Sequence, residues 1–183
     1  MNQRISLQSL VFTAALSVLA SAHAAPMNKD TYKATKSGIE ADYKTAKAAC
    51  NSMAGNAKDV CVEEAKAKEK VARAELEYAS SGKAADQTKV MVAKAETAYA
   101  VAKEKCDDKG GNVKDVCVKE AKAAETTALA DAKAGKQIGE ARKDAAEDKR
   151  EAEHKVEAAK CDAMAGDAKA NCMSAANAKF GKG

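Results

Sequence analysis

The sequence predicts an all-α protein of three disulfide-stapled helical hairpins, about six helices in all, elongated or loosely bundled. Two observations carry that fold class, and a third gives it a physical need. Six cysteines fall into three pairs, Cys50–Cys61, Cys106–Cys117 and Cys161–Cys172, each with ten residues between its members. The intervening residues recur as CNSMAGNAKDVC, CDDKGGNVKDVC and CDAMAGDAKANC, with pairs starting at 50, 106 and 161, so the chain reads as an array of like units. Large apolar residues are scarce: residues 25–183 hold fifteen Val, Leu, Ile and Phe, well under the roughly 20% that marks an ordinary globule. Alanine, the best helix former, fills about a quarter of the chain. Thin, alanine-faced helices held by cross-links follow from that composition.

The first unit boundary is a leader. Arg4 supplies a positive start, Leu10 to Ala20 is a short apolar run, and Ala22-His23-Ala24 is a small-x-small cleavage site. This pattern is a secretory signal over 1–24, too short for a membrane span, cleaved near Ala24. No cysteine follows closely, which argues against a lipid anchor. The expected product is a soluble periplasmic chain with no stable membrane span, in an oxidising space where disulfides persist. Three hairpin units are expected after it, over 25–81, 82–137 and 138–183.

Within each cassette a glycine and a capping residue stand together: Gly55-Asn56, Gly111-Asn112 and Gly166-Asp167. Glycine suits the left-handed residue that closes one helix, and Asn or Asp suits the N-cap of the next. No spacer remains between them, so the expected connection is a tight helical hairpin. A continuous helix would separate the paired cysteines by about 16 Å, far beyond the ~7 Å limit for a disulfide. In a hairpin each cysteine lies about 7.5 Å from the bend, and helix axes 8–10 Å apart bring facing Cα atoms within bonding reach. Of the fifteen pairings that six cysteines allow, the repetition selects the three local ones.

The flanks repeat as well. Tyr43, Tyr99 and His154 each stand seven residues, two helical turns, before the first cysteine of a pair, on the cysteine face. Ser80-Ser81-Gly82 is a clear break between units, and Gly135 with Gly139 a softer one at the matching place. Six helical segments result, about 28–53, 57–79, 84–109, 113–134, 140–164 and 168–179. Glu40/Lys44, Glu64/Lys68 and Glu151/Lys155 have the favourable i,i+4 order. Residues 139–155 carry almost no apolar face and read as a solvated helix, with a partner-binding surface as the other reading.

Residues 25–183 carry 30 Lys+Arg against 27 Asp+Glu, mixed along the length, which argues against nucleic-acid binding. His154 is the single histidine after the leader and occupies the tyrosine position of the other units, so it reads as a packing residue. No GxSxG, HExxH, phosphate-binding glycine loop or CxxC motif is present. Neither a catalytic constellation nor a cofactor is expected. Cys50/Met53, Cys161/Met164 and Cys172/Met173 offer soft sulfur ligands, but Lys109 interrupts that set in the second unit, so no metal site is expected.

The strings KAACNSMAGNAKDVCVEEAKAKEKVARAE and AKEKCDDKGGNVKDVCVKEAKAA resemble a family of small exported proteobacterial proteins, commonly labelled TolA-like cell-envelope biogenesis proteins or uncharacterised. The resemblance covers nearly the whole chain after the leader and implies a helical protein of the cell envelope. The leading functional expectation is a non-enzymatic, structural or interaction module whose partner is an envelope protein or polymer. A stress or chaperone-like helical protein and a thiol-based metal buffer are the alternatives.

Overall fold

A computed structural model describes residues 27–182, so the leader expected over 1–24 lies outside the described residues. Five α-helices run through them: α1 Lys29–Ala49, α2 Gly55–Ser81, α3 Ala84–Cys106, α4 Gly111–Asp162 and α5 Gly166–Phe180. A short 3-10 turn, Cys50–Ser52, joins α1 to the first bend, and there is no strand among the described residues. The first helix is capped as its residues dictate: the Asn28 side chain accepts the Thr31 N–H at 2.7 Å, and Asp30 sits in the first turn.

Among the described residues each helix packs on its neighbours in the chain and on no other helix: α1 on α2, α2 on α3, α3 on α4, and α4 on α5. Among the described residues α1 touches neither α3 nor α4, so the hairpins form an open row rather than a closed bundle. The buried apolar side chains are few and small, with Leu76 and Val90 the largest beside Ala65, Ala93, Ala95 and Ala132. Alanine faces let backbones approach closely but bury little area per residue.

Ion pairs between helices fix the register. Arg73 reaches Glu40 of α1 at 3.3 Å, while Lys70–Glu96, Lys94–Glu75 and Lys105–Glu64 join α2 to α3 at 2.6, 2.8 and 2.7 Å. Glu40 and Glu64 thus bond across helices rather than to Lys44 and Lys68 of their own turns. Glu151–Lys155 forms within its helix at 2.9 Å as its spacing predicts.

The largest departure from the sequence reading lies at Gly135 and Gly139. Helix α4 runs through both for 52 residues, about 78 Å, so the fourth and fifth expected segments are one helix and the 137/138 unit boundary falls inside it. The reason shows in the break that does form. At Gly82 (φ +62°) the chain turns, the Ser81 hydroxyl accepts the Lys83 N–H at 3.1 Å, and it donates to the Asp86 carboxylate at 2.5 Å. At the matching spacing around Gly135 stand Ala134 and Gly139 in place of Ser81 and Asp86. With no side chain to hold the turn, two helical glycines at about 1 kcal/mol each do not stop propagation through strong helix formers.

Ser81→Ala is expected to lower stability by about 1 kcal/mol, read by thermal unfolding. Lys89 and then Ser81 hold the Asp86 carboxyl below the usual carboxylate range by hydrogen bonding. A carboxyl depressed in the fold stabilises it above the ordinary aspartate range. That contribution is lost as pH falls through the lower native value, so the gap between the Ser81→Ala and wild-type midpoints should narrow in acid, the Lys83 N–H bond to Ser81 keeping it from closing.

From residue 133 to 153 every residue of α4 is exposed. The 139–155 segment is a solvated helix over most of its length. It gains packing only where α5 returns along the C-terminal end of α4.

Candidate functional site

The cassettes are the repeated constellation, and the chain builds each the same way. The Cα atoms of Cys50–Cys61, Cys106–Cys117 and Cys161–Cys172 lie 5.7, 5.8 and 5.5 Å apart in bonded pairs. The first cysteine of each pair is buried, at 0, 1 and 1% exposure, while the second, on the returning helix, is more exposed. Three residues after the first cysteine, the N–H of Met53, Lys109 or Met164 donates back to the cysteine carbonyl at 3.1, 3.0 or 3.0 Å. An extended residue follows, Ala54, Gly110 or Ala165.

The glycine then turns the chain into the next helix. Gly55, Gly111 and Gly166 have φ of +58°, +52° and +55°, a conformation that strains any residue with a Cβ. The left-handed glycine is where the spacing predicts it, but it opens the second helix instead of closing the first. The reason is the extended residue before it, which already separates the two helices. Asn56, Asn112 and Asp167 consequently fall one residue inside the new helix and are not N-caps. Asn56 instead reaches across to α3, where its amide donates to the Glu104 carbonyl at 3.0 Å and ties the first cassette to the second.

Sequence reasoning missed a second clasp. Asp107–Lys114 and Asp162–Lys169 span their bends at 2.8 and 3.0 Å, from the residue after the first cysteine to the third before the second. The first cassette has Asn51 and Lys58 at those places. An acid and a lysine at fixed offsets in two of three repeats was the available signal.

The ring positions are structural. The Lys47 ammonium lies 5.8 Å from the Tyr43 ring centre and that of Lys122 lies 5.0 Å from Tyr99. His154 Nε2 is 2.8 Å from Asn177 Oδ1, and its ring meets Phe180 edge-on at 5.7 Å, sealing α5 to α4. Perturbed carboxyls nearby have surface causes: Lys160 holds Glu157, and Lys155 holds Glu151, below the usual range through hydrogen bonds. The groove between α1 and α2 is lined by Ile39, Tyr43, Ala46, Ala65 and Ala72 together with the charged Asp42, Lys68 and Glu69.

With all six sulfurs in disulfides, none is a thiolate that could hold a metal. Among the described residues no cluster of three His, Cys, Asp or Glu side chains is spaced as metal ligands, and no helix is long and apolar enough to cross a membrane. Three stapled bends are the chemistry of an oxidising compartment. Their placement is two-ended. The first two cassettes lie side by side at one end of the helical row. The third sits at the far end of α4, about 75 Å away along the helix. Neither a family model, nor a curated protein, nor a solved structure matches this chain.

Proposed function

We propose that the protein is a non-enzymatic structural or interaction module of the periplasm, a stapled helical spacer holding two rigid ends apart in the cell envelope. The observation that carries this reading is α4. Its 52 residues leave the hairpin row beside Met91 of α3 and run exposed from 133 to 153 before the third cassette. Charged and alanine residues at helical spacing, with Lys136–Glu140 and Lys149–Glu153 at i,i+4, suit a helix that runs exposed within its own chain. The disulfides and the leader pattern support export, and the cassette strings support a place beside the exported TolA-like proteins.

Two measurements test the reading. Osmotic-shock fractionation with N-terminal sequencing should find the chain in the periplasmic fraction, beginning near Ala25. In cells lacking the protein, envelope permeability to large antibiotics should rise. The wild-type gene should reverse that rise, and a chain lacking residues 137–147 should not. Eleven residues is close to three turns, so that deletion shortens the helix while keeping its rotational phase. A cytoplasmic protein, or full rescue by the shortened chain, would sink the spacer role.

A further inference from the structure

We infer that two copies of the chain pair antiparallel along the open side of α4, so that each supplies the neighbour the other's second hairpin lacks. In the first unit α2 is packed on both sides, by α1 and by α3. Its α3 side carries Asn56, Glu64 and Glu75, which meet the Glu104 carbonyl, Lys105 and Lys94. One repeat later those α2 positions become Asn112, Glu120 and Asp131, on the N-terminal half of α4. The matching α3 positions become Ala159, Lys160 and Lys149, on the C-terminal half of the same helix. Both charge pairs survive the shift, as Glu120 with Lys160 and Asp131 with Lys149.

Within one chain these halves do not meet, since Glu120 and Lys160 are forty residues apart on one continuous helix, about 60 Å. Among the described residues Glu120 and Asp131 have no ion-pair partner. Lys160 and Lys149 hold Glu157 and Glu153 of their own helix at 3.1 and 3.9 Å, in exposed contacts that pairing between copies would exchange or share. Both pairs are centred on residue 140. Two antiparallel copies of α4 therefore form each pair twice about a single two-fold axis there, as a self-complementary interface requires.

The open side is also where the apolar surface lies. The buried Glu125 faces α3 and the buried Cys161 faces α5. They are thirty-six residues apart, ten full turns, so α3 and α5 cover one side of α4. Val116 and Val156 fall on the other side, exposed at 44 and 56%, with Ile138 between them at 53%. The α3 position equivalent to Val156 is Val101, which lines the α2–α3 groove with Ala67 and Val71. The arrangement has the form of a domain swap: the third hairpin stacks on the second, as the second stacks on the first, but in the partner chain. The absent break at Gly135 and Gly139 is what sends it there.

Sedimentation equilibrium of the disulfide-intact chain tests this, with far-UV circular dichroism to show that each variant keeps its helices. The wild type should be a dimer. Glu120→Lys should weaken it about tenfold, because the symmetry repeats the reversed pair. Adding Lys160→Glu should bring the dissociation constant back to within about threefold of wild type. Val116→Asp should give monomers at concentrations where the wild type pairs. A wild type that stays monomeric up to about 0.1 mM overturns the inference. So does a dimer indifferent to Glu120→Lys, or a double variant no tighter than the single one.

Discussion

Reduction of the three disulfides should cost this protein more than any single substitution in its core, and the third cassette should fail first. Each bond closes a twelve-residue loop, worth about 3 kcal/mol in the chain-entropy account. Against that stands a core whose largest fully buried side chains are the cysteines Cys50, Cys106 and Cys161 themselves. The cross-links are therefore central to the fold. The cassettes are not equal, because the support around them differs. α3 and the first half of α4 pack on each other, burying Ala132 and Glu125 of α4, so loss of Cys106–Cys117 leaves an interface behind. α5 has 15 residues, Ala176 as its buried residue, and among the described helices α4 as its one neighbour. A helix of that length is marginal alone in water. Paired Cys161→Ser and Cys172→Ser should therefore bring the amides of 166–180 to near-unprotected hydrogen exchange while α2 and α3 keep their protection. Paired Cys106→Ser and Cys117→Ser should lower the global midpoint and leave every helix in place. Equal exchange along the chain after both changes would contradict this ranking.

The same particulars show what was legible beforehand. Cysteine spacing alone excluded a straight helix through each cassette, because a helix rises a fixed 1.5 Å per residue. The helical class and the local pairing were thus readable. The residue at which each new helix starts was not. It depends on an extended Ala54, Gly110 or Ala165 that no residue preference announces. The fate of Gly135 and Gly139 was misread because glycine marks a turn only where side chains nearby can hold one. Ser81 and Asp86 do so beside Gly82, whereas Ala134 has no group that could beside Gly135. The partners of Glu40 and Glu64 escaped for a further reason. Local spacing offers Lys44 and Lys68, and only tertiary packing brings Arg73 and Lys105 closer. Repetition thus located the bends, while the links between them are fixed only once the helices pack side by side.

Glu140→Pro should separate the two ends of the molecule without unfolding either. Proline inside a helix removes one backbone hydrogen bond, clashes with the preceding turn and costs about 3 kcal/mol. In a packed helix that cost spreads into the neighbours, but from 133 to 153 every residue of α4 is exposed within its own chain. The break should stay local. The α1–α3 row retains its ion pairs and the third cassette its disulfide, so the unfolding midpoint of the row should move little. The distance between the ends should change greatly. Non-cysteine spin labels at Ala124 and Ala159 lie thirty-five residues apart on α4, about 52 Å along an unbroken helix. Labelled chains diluted into excess unlabelled protein should give one narrow distance peak near that value in pulsed dipolar spectroscopy. Glu140→Pro should replace it with a broad, shorter distribution. Because residue 140 also lies at the inferred two-fold axis, the same variant should sediment as a monomer. If the narrow peak persists in the proline variant, α4 is held straight by contacts other than its own hydrogen bonds, and the exposed stretch is not the weak link between the two ends.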